Sequence, residues 1–159
     1  MEVAGPGVFE RLLALLEANH ARFRVVEHPA EGRSEIVAAL RGTQASQGAK
    51  AMFCRSVGTF VLAVLPGDRK LDFRKVADAV GKRKAGLATP EEAMRETGCV
   101  IGAIPPFSFS PNIKLVVDPA LIESHDEIAF NAGRLDRSMV LNAQDYVRIA
   151  RPHMATLSA

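Results

Sequence analysis

Cysteine is scarce in this chain: the 159 residues hold two, Cys54 and Cys99. They lie far apart in apolar, strand-like contexts, with no C-x-x-C and no histidine at ligand spacing, so both read as reduced core residues and not as metal ligands. The four histidines, His20, His28, His125 and His153, fall near element ends or in the tail and form no metal-binding pair on a helix, which speaks against zinc chemistry. His28 reads as structural. No apolar run approaches membrane-spanning length, and the N-terminus lacks a basic region followed by an apolar core and a cleavage site, so a cytoplasmic protein is expected. Also missing are a G-x-S-x-G elbow, a G-x-x-x-x-G-K-[ST] loop and a dinucleotide G-x-G-x-x-G loop. Serine-triad hydrolysis, nucleotide hydrolysis and hydride transfer lose their usual supports. There is no internal repeat and no low-complexity segment.

What is present is ordinary in bulk. A hydrophobic content of 48% with 24% charged residues fits one soluble domain with a full core. The net charge of +2 is too small to announce a nucleic-acid partner. Its distribution says more, because Arg69, Lys70, Arg74, Lys75, Lys82, Arg83 and Lys84 stand against only Asp68, Asp72 and Asp78 in one segment. This is either a phosphate-facing rim or a solvated helix face with internal Asp-to-Lys pairs.

Taken in order, Phe9, Leu12, Leu13 and Leu16 predict an amphipathic helix over Val8 to Asn19. Arg22 to Glu27 reads as a strand stopped by His28-Pro29. A second helix is expected from Ser34, taken as its N-cap, to Gly42. The run Phe60 to Leu65 is fit for a central strand, joined to the strand before it by a hairpin at Gly58. Asp72 should cap a helix ended by Gly81, and Thr89-Pro90-Glu91-Glu92 predicts another with a capping box, stopped by Gly98. Strands are expected from Cys99, over Ile113 to Val117, Glu127 to Phe130 and Ser138 to Leu141, with Asn131-Ala132-Gly133-Arg134 as the turn between the last two. Asn142 caps a final helix. About seven strands and five helices without strict alternation imply an α+β fold: a mixed, curved, partly barrel-like sheet with helices packed outside.

Two stretches stand out. In Gln47-Gly48-Ala49-Lys50-Ala51-Met52-Phe53-Cys54, alternation places Lys50 on one strand face with Met52 and Cys54. Such a lysine is either an edge charge that blocks sheet association, or an amine held in a partly dry cleft to meet a negative group. In Cys99 to Phe109, Gly102 permits close backbone approach to a ligand while Pro105 and Pro106 stiffen the loop, which otherwise is a rigid sheet corner.

Gly48-Ala49-Lys50-Ala51-Met52, Gly102-Ala103-Ile104-Pro105-Pro106-Phe107 and Asn131-Ala132-Gly133-Arg134 occur in the order seen in one family. From about Val8 to Ala150 the chain resembles the YbaK-like aminoacyl-tRNA deacylases, stand-alone relatives of the editing domain inserted in bacterial prolyl-tRNA synthetases. The resemblance implies hydrolysis of the ester joining a wrong amino acid to the 3′ end of a tRNA, without a cofactor. Lys50 stands at the family's lysine position, and Gly102 to Pro106 matches its G-x-x-x-P loop beside the terminal adenosine. Pro105 departs from the pattern, which implies a different pocket shape from the cysteine- or alanine-removing members.

An activated ester needs a positioned water and stabilisation of the oxyanion. On this reading Lys50 acts by charge, and the backbone N–H groups of Gly102 and Ala103 are the oxyanion donors. Met52, Ile104, Pro105, Pro106 and Phe107 would line a pocket for a small uncharged amino acid. In Ser34-Glu35-Ile36, Ser46-Gln47-Gly48 and Pro106-Phe107-Ser108-Phe109 the chain resembles the less studied branches of the family more than the cysteine- or alanine-removing ones, which implies serine or threonine, with alanine next and cysteine in reach. Ser108, Ser46 or Asn131 could meet a substrate hydroxyl, or be turn residues bonded to their own backbone; Gly133 belongs to the same substrate-binding set. Lys82, Arg83 and Lys84 are the candidate tRNA contacts. The expected partner is the acceptor end of a mischarged tRNA, with an aminoacyl-tRNA synthetase as a second candidate. Two rival readings stand beside the enzyme: a non-catalytic tRNA-end or synthetase-binding module on the same fold, and a small-molecule binding protein.

Overall fold

The computed structural model describes residues 7–159; the expectation about the N-terminal leader falls in part on residues 1–6, outside the described residues. Helix α1 (Val8–Ala18) buries Val8, Phe9, Leu12 and Leu16, one helical stripe, and β1 (Phe23–Glu27) follows. Helix α2 (Ser34–Arg41) leads through a single 3-10 turn into the hairpin β2 (Ala49–Ser56) and β3 (Thr59–Pro66). Then come α3 (Phe73–Ala79), β4 (Ala85–Leu87), α4 (Pro90–Thr97), β5 (Ile113–Val117), α5 (Pro119–Glu123), β6 (Glu127–Arg134), β7 (Arg137–Asn142), α6 (Ala143–Ala150) and β8 (His153–Met154).

The helix starts follow their side chains. Asp72 accepts from the N–H groups of Arg74 and Lys75, Thr89 and Glu92 form a reciprocal capping box, and Asn142 accepts from Asp145 N–H. Each satisfies donors that the first helical turn leaves without partners. Ser34 does not act this way: Arg33 holds the N-cap position of α2 without a side-chain bond, and Ser34 is the first helical residue.

The expected curved, partly barrel-like sheet is not what forms. The strands divide into a three-stranded antiparallel sheet, ordered β1-β7-β6, and a mixed five-stranded sheet, ordered β4-β2-β3-β5-β8. Closure needs a continuous hydrogen-bond ladder from edge to edge, whereas β6 reaches the second sheet through one isolated parallel bridge, Gly48 to Ala129. The fold remains α+β with a mixed sheet and outer helices, but among the described residues no sheet closes or curves strongly.

Three local expectations also change. The stretch from Cys99 is not a strand: Gly98 ends α4 in the left-handed region, and Ile101–Ala103 forms a turn in which Ala103 N–H donates to the Val100 carbonyl at 3.0 Å. Pro105 and Pro106 have no N–H to offer a ladder. Asn131–Arg134 does not turn the chain; it continues β6 through a bulge, and Leu135-Asp136 makes the turn. Strands β4 and β8 were not anticipated, being three and two residues long, too short to carry an alternation.

Strand β3 is central, flanked by β2 and β5, and Val61 to Leu65 is sealed from solvent. The two faces of β2 serve different cores. Ala49 and Phe53 join the large cluster with α1, β6 and β7, while Cys54 joins a second one with Val61, Val76, Val116 and Leu157. Lys50 begins this strand opposite Leu65.

Candidate active site

Where β2 begins, α2, the turn after α4 and the middle of β6 converge on a cavity of about 150 Å³. Helix α2 supplies Ser34, Val37 and Arg41, a stripe set by the three- and four-residue spacing of a helix. Strand β2 supplies Lys50 and Met52, the turn supplies Gly102 and Ile104, and β6 supplies Asn131. Gly102 holds a φ of +90°, and a β-carbon there would meet Gly32 Cα at 3.1 Å. Backbone presses on backbone, which only glycine permits.

The structure therefore brings Lys50, Gly102, Met52, Ile104 and Asn131 to one cavity. The Lys50 ammonium donates to the Arg69 carbonyl in the turn after β3. Burial pushes its pKa below the ordinary lysine value, and the carboxylates of Asp68 and Glu35 oppose that shift. An ammonium has three donors, so two remain for another partner.

The other expected residues are placed differently. Ala103 is sealed, and its N–H is taken by Val100. The Gly102 N–H makes no hydrogen bond among the described residues, so of the two amides it is the free one. Pro105, Ile104 and Phe107 border a second hollow, beside α1 and α4. Phe107 packs edge-on against Phe130 and Tyr146 in the core, and the Pro106 carbonyl accepts the Tyr146 hydroxyl. Ser108 Oγ lies 2.8 Å from the Ser110 carbonyl and 2.9 Å from that of Ile113, a loop residue serving its own backbone. Ser46 Oγ meets His125 Nε2 at 2.9 Å. Gly133 lies at the bulge with φ +84°, where a β-carbon would strike Val8, and its N–H donates to the Ala103 carbonyl. It supports the turn from behind.

Arg83 and Lys84 line a separate open hollow of about 860 Å³ with Val57, Phe73 and Arg74, and Lys82 precedes them on the exposed turn. Strand β4, which follows, pairs Ala85 with Ser56. At roughly 3.3 Å per strand residue, about 20 Å of β2 separates this end from Lys50.

The sequence reading missed Arg41. Its side chain is buried, at 8% residue exposure, and pairs with no carboxylate among the described residues. Nε donates to Ser138 Oγ at 2.7 Å and one terminal nitrogen, Nη2, to Asn131 Oδ1 at 3.0 Å. Asn131 Nδ2 donates in turn to the carbonyls of Glu31 and Gly102, at 2.9 and 2.8 Å, tying α2, β6 and the turn together. His28 Nε2 meets the same Ser138 hydroxyl at 2.7 Å, which fits its structural reading. Burial lowers the Arg41 pKa to about 10. The signal available in the sequence was position: Arg41 lies four residues beyond the inward-facing Val37.

Both thiols are free and buried, with burial pushing Cys54 up to about 12 and Cys99 in the same direction, so neither is a ready nucleophile. No helix among the described residues is long and apolar enough to cross a membrane.

Comparison with known proteins gives a consistent picture. The aminoacyl-tRNA editing domain family matches residues 28–149. The multifunctional Ser/Thr-tRNA deacylase ProXp-y of Escherichia coli (strain K12) is 50% identical over 154 residues, covering 94% of this chain and 92% of that protein. The proline–tRNA ligase of Geobacter sulfurreducens is 32% identical over 133 residues, 81% of this chain but 23% of the ligase. Among solved structures, that of hypothetical protein APE2540 superposes with a TM-score of 0.85 at 25% identity, covering 94% of this chain and 99% of that one.

Proposed function

Because the chain belongs to the aminoacyl-tRNA editing domain family, we propose that it is a trans-editing deacylase, hydrolysing the ester of a tRNA mischarged with serine or threonine. The observation that carries this reading is the small cavity in which the Lys50 strand faces the Gly102 turn. Its small size suits a small aminoacyl group.

The chemistry follows from that seating. The free Gly102 N–H is a fixed dipole that can meet the oxyanion forming on the ester carbonyl, at no reorganisation cost during reaction. Lys50 supplies positive charge at the same wall, through its two remaining donors, for the terminal phosphate or ribose. Among the described residues no carboxylate or histidine lines the cavity, so attack by water draws on the substrate's own ribose hydroxyl or α-amine as proton acceptor. The ester carbon–oxygen bond breaks, the amino acid leaves as a carboxylate, and the tRNA keeps its terminal hydroxyl.

The prolyl-tRNA ligases carry the matching region inside much longer chains, which supports a synthetase as the second partner. Editing of charged tRNA supports a cytoplasmic location for this work. Purified tRNAs charged with Ser, Thr, Ala and Cys test the reading: ester loss from Ser- and Thr-tRNA that disappears in Lys50→Ala is expected. Binding of those tRNAs without turnover would instead identify a non-catalytic module.

A further inference from the structure

Among the polar side chains on the cavity wall, capacity to bind differs sharply. Asn131 is saturated: both Nδ2 hydrogens go to backbone carbonyls, and Oδ1 accepts from Arg41 and lies 3.0 Å from Ser138 Oγ. Lys50 is tethered at Arg69, with its two remaining donors assigned to the phosphate or ribose, and Ser34 brings a single hydroxyl. Arg41 is different. A guanidinium carries five N–H donors, and only Nε and Nη2 have partners among the described residues. No side-chain nitrogen or oxygen among those residues is both sealed and unpartnered, so Nη1 is reached by solvent, and the cavity is the space that Arg41 lines. A β-carbon at Gly48 would stand 3.7 Å from Nη1, which locates this nitrogen beside the start of the Lys50 strand.

The group is thus a buried cation with no carboxylate partner among the described residues, held from two sides and presenting donors alone to a small space. Leaving such donors dry and unpaired is costly. A substrate α-ammonium, itself a donor and a cation, is repelled. An oxygen that can accept is drawn in.

Building on the deacylase reading above, we propose that Arg41 is the specificity-determining residue that reads the side-chain hydroxyl of the seryl or threonyl group, through Nη1, at the floor of the cavity. Seryl and alanyl esters differ by that one oxygen. An alanyl methyl leaves the Nη1 donors without a partner, and a site built around such a hydrogen bond discriminates strongly against the analogue that lacks it. Val37, buried beside Arg41 on the same helix stripe, gives the threonyl methyl an apolar contact.

The test is the ratio of deacylation rates, kcat/KM for seryl over alanyl esters on one and the same tRNA. Arg41→Met and Arg41→Lys, the latter keeping the buried charge, should each lower that ratio by about tenfold or more, through loss on the seryl substrate. Partial misfolding scales both rates together and leaves the ratio unmoved. A second arm leaves the protein untouched: a 2,3-diaminopropionyl ester, with an ammonium in place of the hydroxyl, should react more slowly than the alanyl ester. An unchanged ratio in both variants, or a diaminopropionyl ester cleaved as fast as the seryl one, overturns the assignment to Arg41. Absence of turnover by the unaltered protein on every ester would instead overturn the deacylase reading itself.

Discussion

Tyr146 donates its phenolic hydrogen to the Pro106 carbonyl at 2.6 Å, with the whole residue sealed from solvent. Proline removes the loop's own donors, so this carbonyl depends on a side chain brought from α6, and the bond anchors the loop that descends from the Gly102 turn. Burial raises the phenol's pKa far above its usual range, which keeps it a donor at all working pH values. Tyr146→Phe leaves a buried carbonyl unpaired, and a loss of roughly 1–3 kcal/mol is expected in chemical denaturation. Deacylation should fall with it through kcat, because a loosened turn misplaces the Gly102 N–H. Unchanged kcat in a destabilised variant would separate the anchor from the chemistry.

Lys50 offers a pH test whose sign can be worked out. Its folded-state pKa lies below the ordinary lysine value, chiefly from burial. Between the lowered value and the unfolded one, near 10.4, the unfolded chain binds more protons, so stability contributed by this group rises with pH there. Activity that needs the ammonium moves the other way and falls across the same interval. Lys50→Arg, charged throughout, should abolish the alkaline loss attributable to this residue while keeping part of the rate. Parallel alkaline limbs in the two proteins would remove Lys50 from the pH profile.

Much of the fold was legible in the chain because its signals are local. Asp72, Thr89 with Glu92, and Asn142 cap helices by bonds that span two or three residues, and the alternation along Ala49 to Cys54 correctly divided that strand between two cores. The division into two sheets was not legible, since it depends on which strand edges meet. Nothing near Gly48 or Ala129 announces that their bridge stands alone. The site divides similarly. Lys50 and Gly102 were legible as odd residues in otherwise apolar stretches, whereas Arg41 looks like any arginine in the last turn of a helix. Its burial is a product of Ser138 and Asn131, some 90 to 97 residues away in the chain.

Asp118 fastens the end of the chain. Its Oδ2 accepts from the Leu157 and Ser158 N–H groups and the Ser158 hydroxyl, at 2.9, 3.1 and 2.8 Å, while Oδ1 accepts from Ala120 N–H. Burial alone would raise this carboxyl, but the donors from Leu157, Ala120 and Ser158 outweigh it, and the net direction is down. The stability it contributes is therefore present above the unfolded value, near 3.9, and is lost as pH falls through the lower folded value. Asp118→Asn should cost roughly 2–3 kcal/mol at neutral pH and flatten the acid limb of the stability curve. A variant as acid-sensitive as the parent would show that the tail is held by other means.

The turn Lys82, Arg83, Lys84 sits at the far end of β2 from the cavity, beside an open hollow that also exposes Arg74 and Val57. A substrate whose 3′ end enters the cavity must still pass its stem across the surface, and phosphate pairing there is sequence-independent and salt-sensitive. Replacing the three residues by alanine should weaken tRNA binding and reduce the slope of log affinity against log salt by about one unit for each phosphate left without its cation. The rate on saturating substrate should hold, since no group of this turn lines the cavity. An unchanged salt slope would assign these charges to solvation of the α3–β4 turn, and the stem to another face of the protein.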